Sequence, residues 1–232
     1  MERKKGWMLG AAVLTGALLA APGRAEVAIA GKAGSLGLGL ELTAGLSPQW
    51  NVRLGANAFD YTDDDRQAGH LHYDATAKLR NATALLDWHP GGHGFRLSGG
   101  LVYDGNELEG SSIPSASGFY NIDGVPVPTS IITRLDGKID FDPVVPYVGL
   151  GWGNAVAPGH RLRAFLDAGV FFQGRGRAKL TPVIPAGSPI NSTPGAREAL
   201  DILLRREESA IEDDVADYTV YPVVSFGLSY RF

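Results

Sequence analysis

The chain ends on the stretch Tyr221–Phe232, YPVVSFGLSYRF, in which apolar side chains alternate with small or polar ones. Counting back from the last residue, the apolar positions are Phe232, Tyr230, Leu228, Phe226, Val224, Pro222 and Val220. A period of two places the two sets on opposite faces of a β-strand. The stretch therefore predicts a closing strand with one apolar face. Whether that face meets a dry core or lipid decides the fold.

The same alternation recurs along the chain and predicts seven strands joined by turns. They cover residues 36–46, 52–59, 70–88, 95–104, 144–153, 161–173 and 220–232. In the third strand the apolar phase slips by one residue near Arg80–Asn81, which predicts a β-bulge. Strict alternation in strands that are linked by turns rather than helices predicts an antiparallel, all-β architecture.

Charged side chains occupy the face of these strands opposite the apolar one. They are Glu41, Arg53, Lys78, Arg80, Asp87, Arg96, Arg163 and Asp167. In a soluble β-sandwich this face would meet water and the leucines would form the core, and the alternation by itself allows that arrangement. In a transmembrane barrel the charged face would instead line the lumen.

Three further features favour the transmembrane β-barrel. Aromatic residues lie beside the short turns, as in the belts that mark the two interfaces of a bilayer, and form a predicted girdle of Trp50, Trp88, Phe95 and Trp152. The strands are about ten residues long or more, as tilted membrane strands require. Short turns alternate with long connections, as in outer-membrane barrels. We therefore expect the leucines to contact lipid and the charged residues to form a luminal network.

The first 25 residues have the layout of a secretory signal peptide. A basic start, MERKK, precedes the uncharged apolar run 6–21, and the small residues Gly23 and Ala25 precede a cleavage point before Glu26. A retained membrane anchor is the alternative, since the run is only slightly shorter than a spanning helix. Residues 26–232 would then form one barrel domain. There is no cysteine for a disulfide or a lipid anchor, and a net charge of −4 gives no basic surface for nucleic acid.

The amino-acid sequences of two strands resemble those of small bacterial outer-membrane β-barrels of the OmpA-like and OmpW-like kinds. The stretches are Val145–Gly153 and the C-terminal strand. The resemblance implies that the barrel-assembly machinery recognises the C-terminal strand by its terminal aromatic residue. The assembly signal would consist of Tyr221, Phe226, Leu228, Tyr230 and Phe232. It also implies export through the periplasm to the outer membrane of a Gram-negative bacterium, with lipid as the surrounding partner. It implies no catalytic residues.

Single-chain bacterial barrels have an even number of strands, so the seven need an eighth. If the short turns and Phe232 are periplasmic, a strand within residues 26–34 must precede the first predicted strand, and we expect eight strands on this basis. Residues 176–184 are a competing eighth strand that would invert the sidedness of every loop. Ten strands would result if residues 131–141 paired within their own loop.

Two long loops are predicted. The first, residues 105–143, is expected to be exposed and to contain a small hairpin. The second, residues 185–217, contains an amphipathic helix over residues 194–213, with Thr193 as its cap and apolar side chains recurring on one face. We expect the helix to cover a barrel mouth, with docking of a partner as the alternative.

The function predicted from the sequence is non-enzymatic: a structural barrel, or weak passage of small solutes, with no cofactor and no metal. Opposite charges in a narrow lumen should pair, because unpaired charge in a confined site is costly. A lipid-modifying enzyme is the alternative, but no G-x-S-x-G stretch is present. His70 and His72 could share a metal ion on one strand face, but two imidazoles without a third ligand make a weak site. The sequence leaves oligomerisation open.

Overall fold

The computed structural model of the protein describes residues 26–68, 71–112 and 118–232, and for residues 63–68 and 71–75 it describes the backbone alone. The predicted signal peptide lies outside the described residues. The strands in chain order are β1 (Val27–Gly34), β2 (Gly37–Ser47), β3 (Trp50–Ala68), β4 (Leu71–Trp88), β5 (Phe95–Asp104), β6 (Glu107–Ser112), β7 (Phe119–Ile122), β8 (Val125–Pro128), β9 (Arg134–Asp140), β10 (Val144–Trp152), β11 (Leu162–Phe171), β12 (Arg177–Val183) and β13 (Tyr221–Arg231). Helix α1 covers Ala196–Asp214 and precedes the last strand.

Eight of the strands form a closed antiparallel barrel. Around the ring their order is β1, β2, β3, β4, β5, β10, β11 and β13. The ring closes where β13 pairs with β1, from Ala28 opposite Arg231 to Gly34 opposite Ser225. The predicted fold class is therefore confirmed, and the eighth strand is the weakly patterned N-terminal segment that parity required. The competing segment, residues 176–184, lies outside the barrel as β12.

The two ends of the barrel differ, and we call them the turn end and the loop end. The turn end carries the connections 48–49, 89–94 and 153–161 together with Glu26 and Phe232. The loop end carries the tight turn at Ser35–Leu36 and the long connections 105–143 and 172–220. Short turns at one end and long loops at the other are the usual asymmetry of outer-membrane barrels.

The apolar faces of the barrel strands point outward. Leu40 is 65% exposed and Leu166 is 53% exposed, whereas Arg53, on the opposite face of its strand, is 2% exposed. A soluble sandwich would show the reverse, with the leucines in contact across a dry core. A broad apolar surface of this kind is the sign of a membrane-facing or protein-facing exterior.

An accessory domain continues from the barrel wall at the loop end. Within the barrel β4 pairs with β5, whereas above the barrel it pairs with β6. From β6 the sheet continues through β9 to β12. The β7–β8 hairpin and α1 complete the domain. The domain has its own apolar core, formed by Tyr120, Ile122, Val127, Ile132, Leu135, Ile190, Leu200 and Leu204. The loop 105–143 therefore contains the small β7–β8 hairpin and, among its described residues, also β6 and β9, which extend the barrel sheet.

The predicted β-bulge at Arg80–Asn81 is wrong. There β4 stays in continuous register with β3, with Arg80 opposite Ala58 and Asn81 opposite Asn57. The side-chain pattern changes because β4 leaves the barrel at this point, so the inward face ends. The register irregularity between β3 and β4 lies instead at Asp63/Arg66.

Helix α1 is close to the predicted range, but its cap and its position are not those predicted. The N-cap is Gly195, with φ of 75°, and the Thr193 hydroxyl donates instead to the Pro189 carbonyl at 2.9 Å. The helix packs against β12 and the hairpin of the accessory domain rather than over the barrel mouth, because Leu200 and Leu204 join the accessory core. Among the described residues, no helix is both long and apolar enough to cross a membrane.

Candidate functional site

A network of buried charges crosses the barrel lumen, with Arg53 at its centre. Arg53 Nε lies 2.6 Å from Asp87 Oδ2, and Arg53 Nη1 lies 3.2 Å from both Glu41 Oε1 and Asp167 Oδ2. Arg53 Nη2 donates to Ser98 Oγ at 3.1 Å. Because β3 and β11 stand on opposite sides of the eight-strand ring, the contact from Arg53 to Asp167 spans the full width of the lumen.

Two further cations complete the luminal charge network. Arg96 holds Asp167 with Nη2 at 2.8 Å from each carboxylate oxygen, and its guanidinium lies 5.5 Å from the ring centre of Phe165. Lys32 Nζ lies 3.0 Å from Glu41 Oε2. Three cations thus face three carboxylates, Glu41, Asp87 and Asp167, and all six groups are buried. Burying charge is tolerated only when it is paired and hydrogen-bonded, as it is here.

Five of the eight residues predicted to fill the lumen meet in this network: Glu41, Arg53, Asp87, Arg96 and Asp167. The prediction is wrong for Lys78 and Arg80, which lie on β4 above the barrel. Their side chains are 40% and 49% exposed and pair with Glu109 and Asp60. Alternation along a strand shows which face a residue occupies but not where the barrel ends.

Arg163 faces the lumen but lies apart from the network, at the turn end. Its Nη2 donates to the Pro158 carbonyl at 2.7 Å, and among the described residues it has no carboxylate partner. Lys32, by contrast, belongs to the network, although the sequence does not predict it as a luminal residue. Lys32 lies between Ala30 and Gly34, on the face of β1 that also carries Ala28. Because β1 has small residues on both faces, its sequence shows no clear alternation that would mark Lys32 as inward-facing.

Inward-facing glycines make room for the network. A Cβ atom at Gly151 would lie 2.5 Å from Asp167 Oδ1 and 3.0 Å from Arg96 Nε, and one at Gly227 would lie 2.5 Å from the Phe165 ring. Large side chains therefore fill the space above neighbouring glycines, which explains why a lumen enclosed by only eight strands has room for the three cations of the network.

An apolar layer closes the lumen on the loop-end side of the charges. It consists of Leu36, Leu85, Val102, Val145, Tyr147, Phe171 and Val223, with Tyr221 packed against it. The rings of Phe171 and Tyr221 stack with their centres 4.9 Å apart, and the Tyr221 hydroxyl donates to the Ser35 carbonyl at 2.7 Å. Between this layer and the charges, a cavity of about 20 Å³ remains beside Lys32 and Arg53, which is room for roughly one water molecule.

A third layer lies at the turn end, where Asn51 links two segments. Its Nδ2 lies 3.0 Å from His89 Nε2 and donates to Asn154 Oδ1 at 3.0 Å. His89 Nδ1 lies 3.1 Å from the His93 carbonyl, so a neutral imidazole that donates from Nδ1 satisfies both contacts. Burial lowers the pKa of His89, which favours this neutral form. His70 and the His72 side chain lie outside the described residues.

The predicted girdle and C-terminal signal lie on the exterior, except for Tyr221. The rings of Trp50 and Trp88 stack with their centres 6.2 Å apart. Phe95 lies opposite Trp152 in the pairing of β5 with β10, and all four residues are at the turn end. Of the predicted signal residues, Phe226, Leu228, Tyr230 and Phe232 are exposed. Tyr221 points inward to the apolar layer, as its place in the alternation requires. The aromatic residues therefore mark one edge of the apolar exterior.

Comparisons with known proteins support the fold. No protein-family model matches the chain, and no curated protein does. CarO of Acinetobacter baumannii aligns with 89% of this chain and 98% of its own, at 18% identity and a TM-score of 0.54. CarO2 of the same organism aligns with 90% of this chain and 100% of its own, at 18% identity and a TM-score of 0.55. A major outer membrane protein of Thermus thermophilus aligns at 16% identity with a TM-score of 0.42, over 90% of this chain and 100% of its own. The fold that this chain shares with CarO and CarO2 is the closed eight-stranded β-barrel.

Proposed function

We propose that the protein is a structural barrel in the outer membrane of a Gram-negative bacterium, and that its lumen is closed to solutes at rest. The observation that carries this proposal is the contact between Arg53 and Asp167, which joins opposite walls of the lumen. The apolar layer and the link from Asn51 to Asn154 add a barrier on each side of it. A solute would have to displace all three layers, and the charged one resists because separation leaves buried ions unpaired.

Weak passage of small solutes is the second candidate. It is supported by the cavity beside Lys32, which leaves room for a water molecule between the charged and apolar layers. Lys32 and Arg53 both contact Glu41, so partners could exchange without leaving a charge isolated. In this version the lumen opens briefly, when the pairs exchange, and does not form a steady pore.

We also propose that the protein is not an enzyme. Both ring nitrogens of His89 have partners, Asn51 and the His93 carbonyl, so this imidazole has no free nitrogen to act as a base. In the ranges that the structure describes, no serine hydroxyl is hydrogen-bonded to a histidine. The lipid-modifying alternative is tested by comparing lipid A from cells with and without the protein. We expect identical profiles, and a reproducible change in acylation would contradict the proposal.

Planar-bilayer recording of the refolded protein tests the closed lumen. We expect no steady conductance from the wild type. A double variant, Arg53→Ala with Asp167→Ala, removes the contact across the lumen and should show brief openings. The control, Lys78→Ala with Glu109→Ala, removes an exposed pair in the accessory domain and should behave as the wild type. A stable conductance of large-porin size in the wild type would exclude the closed lumen.

Assembly in the outer membrane is proposed to depend on the exposed aromatic end of β13. Phe232 is exposed and follows β13 at the turn end, where the barrel-assembly machinery could recognise it. Deletion of Phe232 should lower the amount of folded barrel in cells, while refolding in detergent stays efficient. Gel mobility with and without boiling measures the folded fraction, because such barrels resist detergent until heated. Equal amounts of folded barrel in cells for both forms would contradict this role.

A further inference from the structure

A pocket at the turn end has the features of a phosphate-binding site. It has a volume of about 340 Å³ and is lined by Trp152, Arg163, His93, Asn154, Gly94 and Ala157. It forms because β10 ends at Trp152, opposite Leu166, whereas β11 continues to Leu162 beside β13 alone. Residues 162–165 therefore have a strand partner on the β13 side alone, at the level of the aromatic girdle.

Arg163 supplies this pocket with an unpaired positive charge. Every other arginine or lysine that faces the lumen has a carboxylate partner within 3.2 Å, but among the described residues Arg163 has none. Of the five donors of its guanidinium, those on Nη2 contact the Pro158 and Ala157 carbonyls, while Nε is buried without a partner. Nη1 has no hydrogen-bond partner among the described residues and is not buried, so its donors can bind an oxygen-rich anion in the pocket.

Glu26, a carboxylate at this end of the barrel, does not pair with Arg163. It lines a second cavity, and Arg231 Nη1 holds its Oε1 at 2.7 Å. The pocket thus combines a guanidinium that has no carboxylate partner among the described residues, the exposed His93 side chain and the exposed indole of Trp152. Arginine binds phosphate oxygens in a bidentate manner, and tryptophan is enriched at the head-group level of membranes.

We infer that this pocket binds a phosphate group, with Arg163 as its principal ligand and Trp152 against the attached moiety. Two kinds of molecule could bring a phosphate group to the turn end. One is the head group of a glycerophospholipid, with its acyl chains along the exposed side of Ala164. The other is a soluble phosphate ester. The inference is independent of whether the lumen conducts.

Native mass spectrometry of the folded barrel in detergent tests the inference. Dioleoylphosphatidylglycerol is titrated against dioleoylglycerol, which has the same chains without phosphate, and glycerol 3-phosphate is titrated separately. We expect one phospholipid per barrel, bound about tenfold or more weakly by Arg163→Gln, because a hydrogen bond to a charged group is lost. Dioleoylglycerol should bind wild type and variant alike. Saturable binding of glycerol 3-phosphate with the same dependence on Arg163 would identify a soluble ester as the source.

Two further variants keep the test decisive. Arg161→Gln removes the same charge from the same turn but lies outside the pocket, and it should bind phospholipid as the wild type does. Ala157→Leu fills the pocket without touching the guanidinium charge and should weaken binding as Arg163→Gln does. Gel mobility without boiling verifies that each variant is folded. Equal binding by the wild type and Arg163→Gln, or an equal loss in Arg161→Gln, would overturn the inference.

Discussion

Arg53 shows how a single residue can control the interior of this barrel. It contacts three carboxylates, on β2, β4 and β11, and is almost fully buried. Replacing it with methionine keeps most of the side-chain volume but leaves Asp87 without a cation. Glu41 and Asp167 lose one cation each and keep Lys32 and Arg96. Asp87 would then be buried and unpaired, which is the costly arrangement for an ion in a protein interior.

We expect Arg53→Met to lower the free energy of unfolding by about 3–5 kcal/mol, the usual cost of breaking a buried ion pair. Urea titration of the refolded barrel in lipid vesicles, followed by tryptophan fluorescence, measures it. Arg80→Met is the matched control, because Arg80 makes one exposed pair with Asp60 and should change the unfolding midpoint little. A loss in Arg53→Met no larger than in Arg80→Met would show that the network contributes no stability.

Gly151 gives a second test at the scale of one residue. A side chain there would meet Asp167 and Arg96, so Gly151→Val should displace their contact and lower the unfolding free energy by about 1–3 kcal/mol, as overpacking does. Gly99→Val is its control, because the nearest atom to a Cβ at Gly99 is 3.9 Å away. The same urea titration compares the two. Equal stability of both variants would mean that the space above Gly151 is not needed.

Residue alternation predicts which side chains face inward, and it predicts them well where strands carry large residues. Arg53 and Asp167 lie among leucines, so their face is unmistakable in the sequence. Lys32 lies among alanines and glycines, which carry no such signal. Lys78 and Arg80 follow the same alternation as the luminal residues, but β4 continues beyond the barrel. How much of β4 belongs to the barrel depends on where its neighbour changes from β5 to β6. The sequence of β4 alone does not show that position.

At the scale of elements, α1 and β12 form a protected sheet edge. The N–H groups of Ala178 and Leu180 point away from β9 and donate to Glu212 Oε1 at 3.1 Å and to Glu208 Oε1 at 2.7 Å. The next position of the same parity is Pro182, which has no N–H. Two helix carboxylates and one proline thus occupy the edge that would otherwise be open to another strand.

Replacing Glu208 and Glu212 together with alanine should free the edge of β12. We expect hydrogen exchange at Ala178 and Leu180 to become about tenfold faster, since each N–H loses a hydrogen bond to a charged group. Hydrogen–deuterium exchange with mass spectrometry on the peptide around 177–183 measures this rate. The control is Glu198→Ala, which removes an exposed carboxylate from the first turn of the same helix. Unchanged exchange in the double variant would contradict the protective role.

The apolar spacing of α1 predicts a helix but not its neighbour. The spacing predicts that Leu200 and Leu204 are buried, and the sequence suggests two surfaces that could cover them, the barrel mouth and a docking partner. The surface they contact is built from β7, β8, β9 and β12, whose short strands alternate weakly and contain glycine and proline. An accessory sheet assembled from two distant loops is a long-range feature, and local periodicity does not report it.

At the scale of the whole molecule, the fold predicts which end faces the cell exterior. Strand parity, the closure of β13 on β1 and the position of Phe232 place the short turns together at one end. With these turns in the periplasm, the accessory domain lies outside the cell. Because the chain contains no cysteine, a single introduced thiol reports the side of the membrane on which it lies.

Ser209→Cys places an exposed thiol on α1, and His160→Cys places one in the 153–161 turn. A membrane-impermeant maleimide applied to intact cells should label the first variant and not the second. After the outer membrane is permeabilised, both should react, which verifies that each thiol is accessible. Labelling of His160→Cys alone in intact cells would mean that the barrel is inverted, with the accessory domain in the periplasm. The phosphate pocket beside Arg163 would then face the outer leaflet, so the same experiment determines which lipids that pocket can meet.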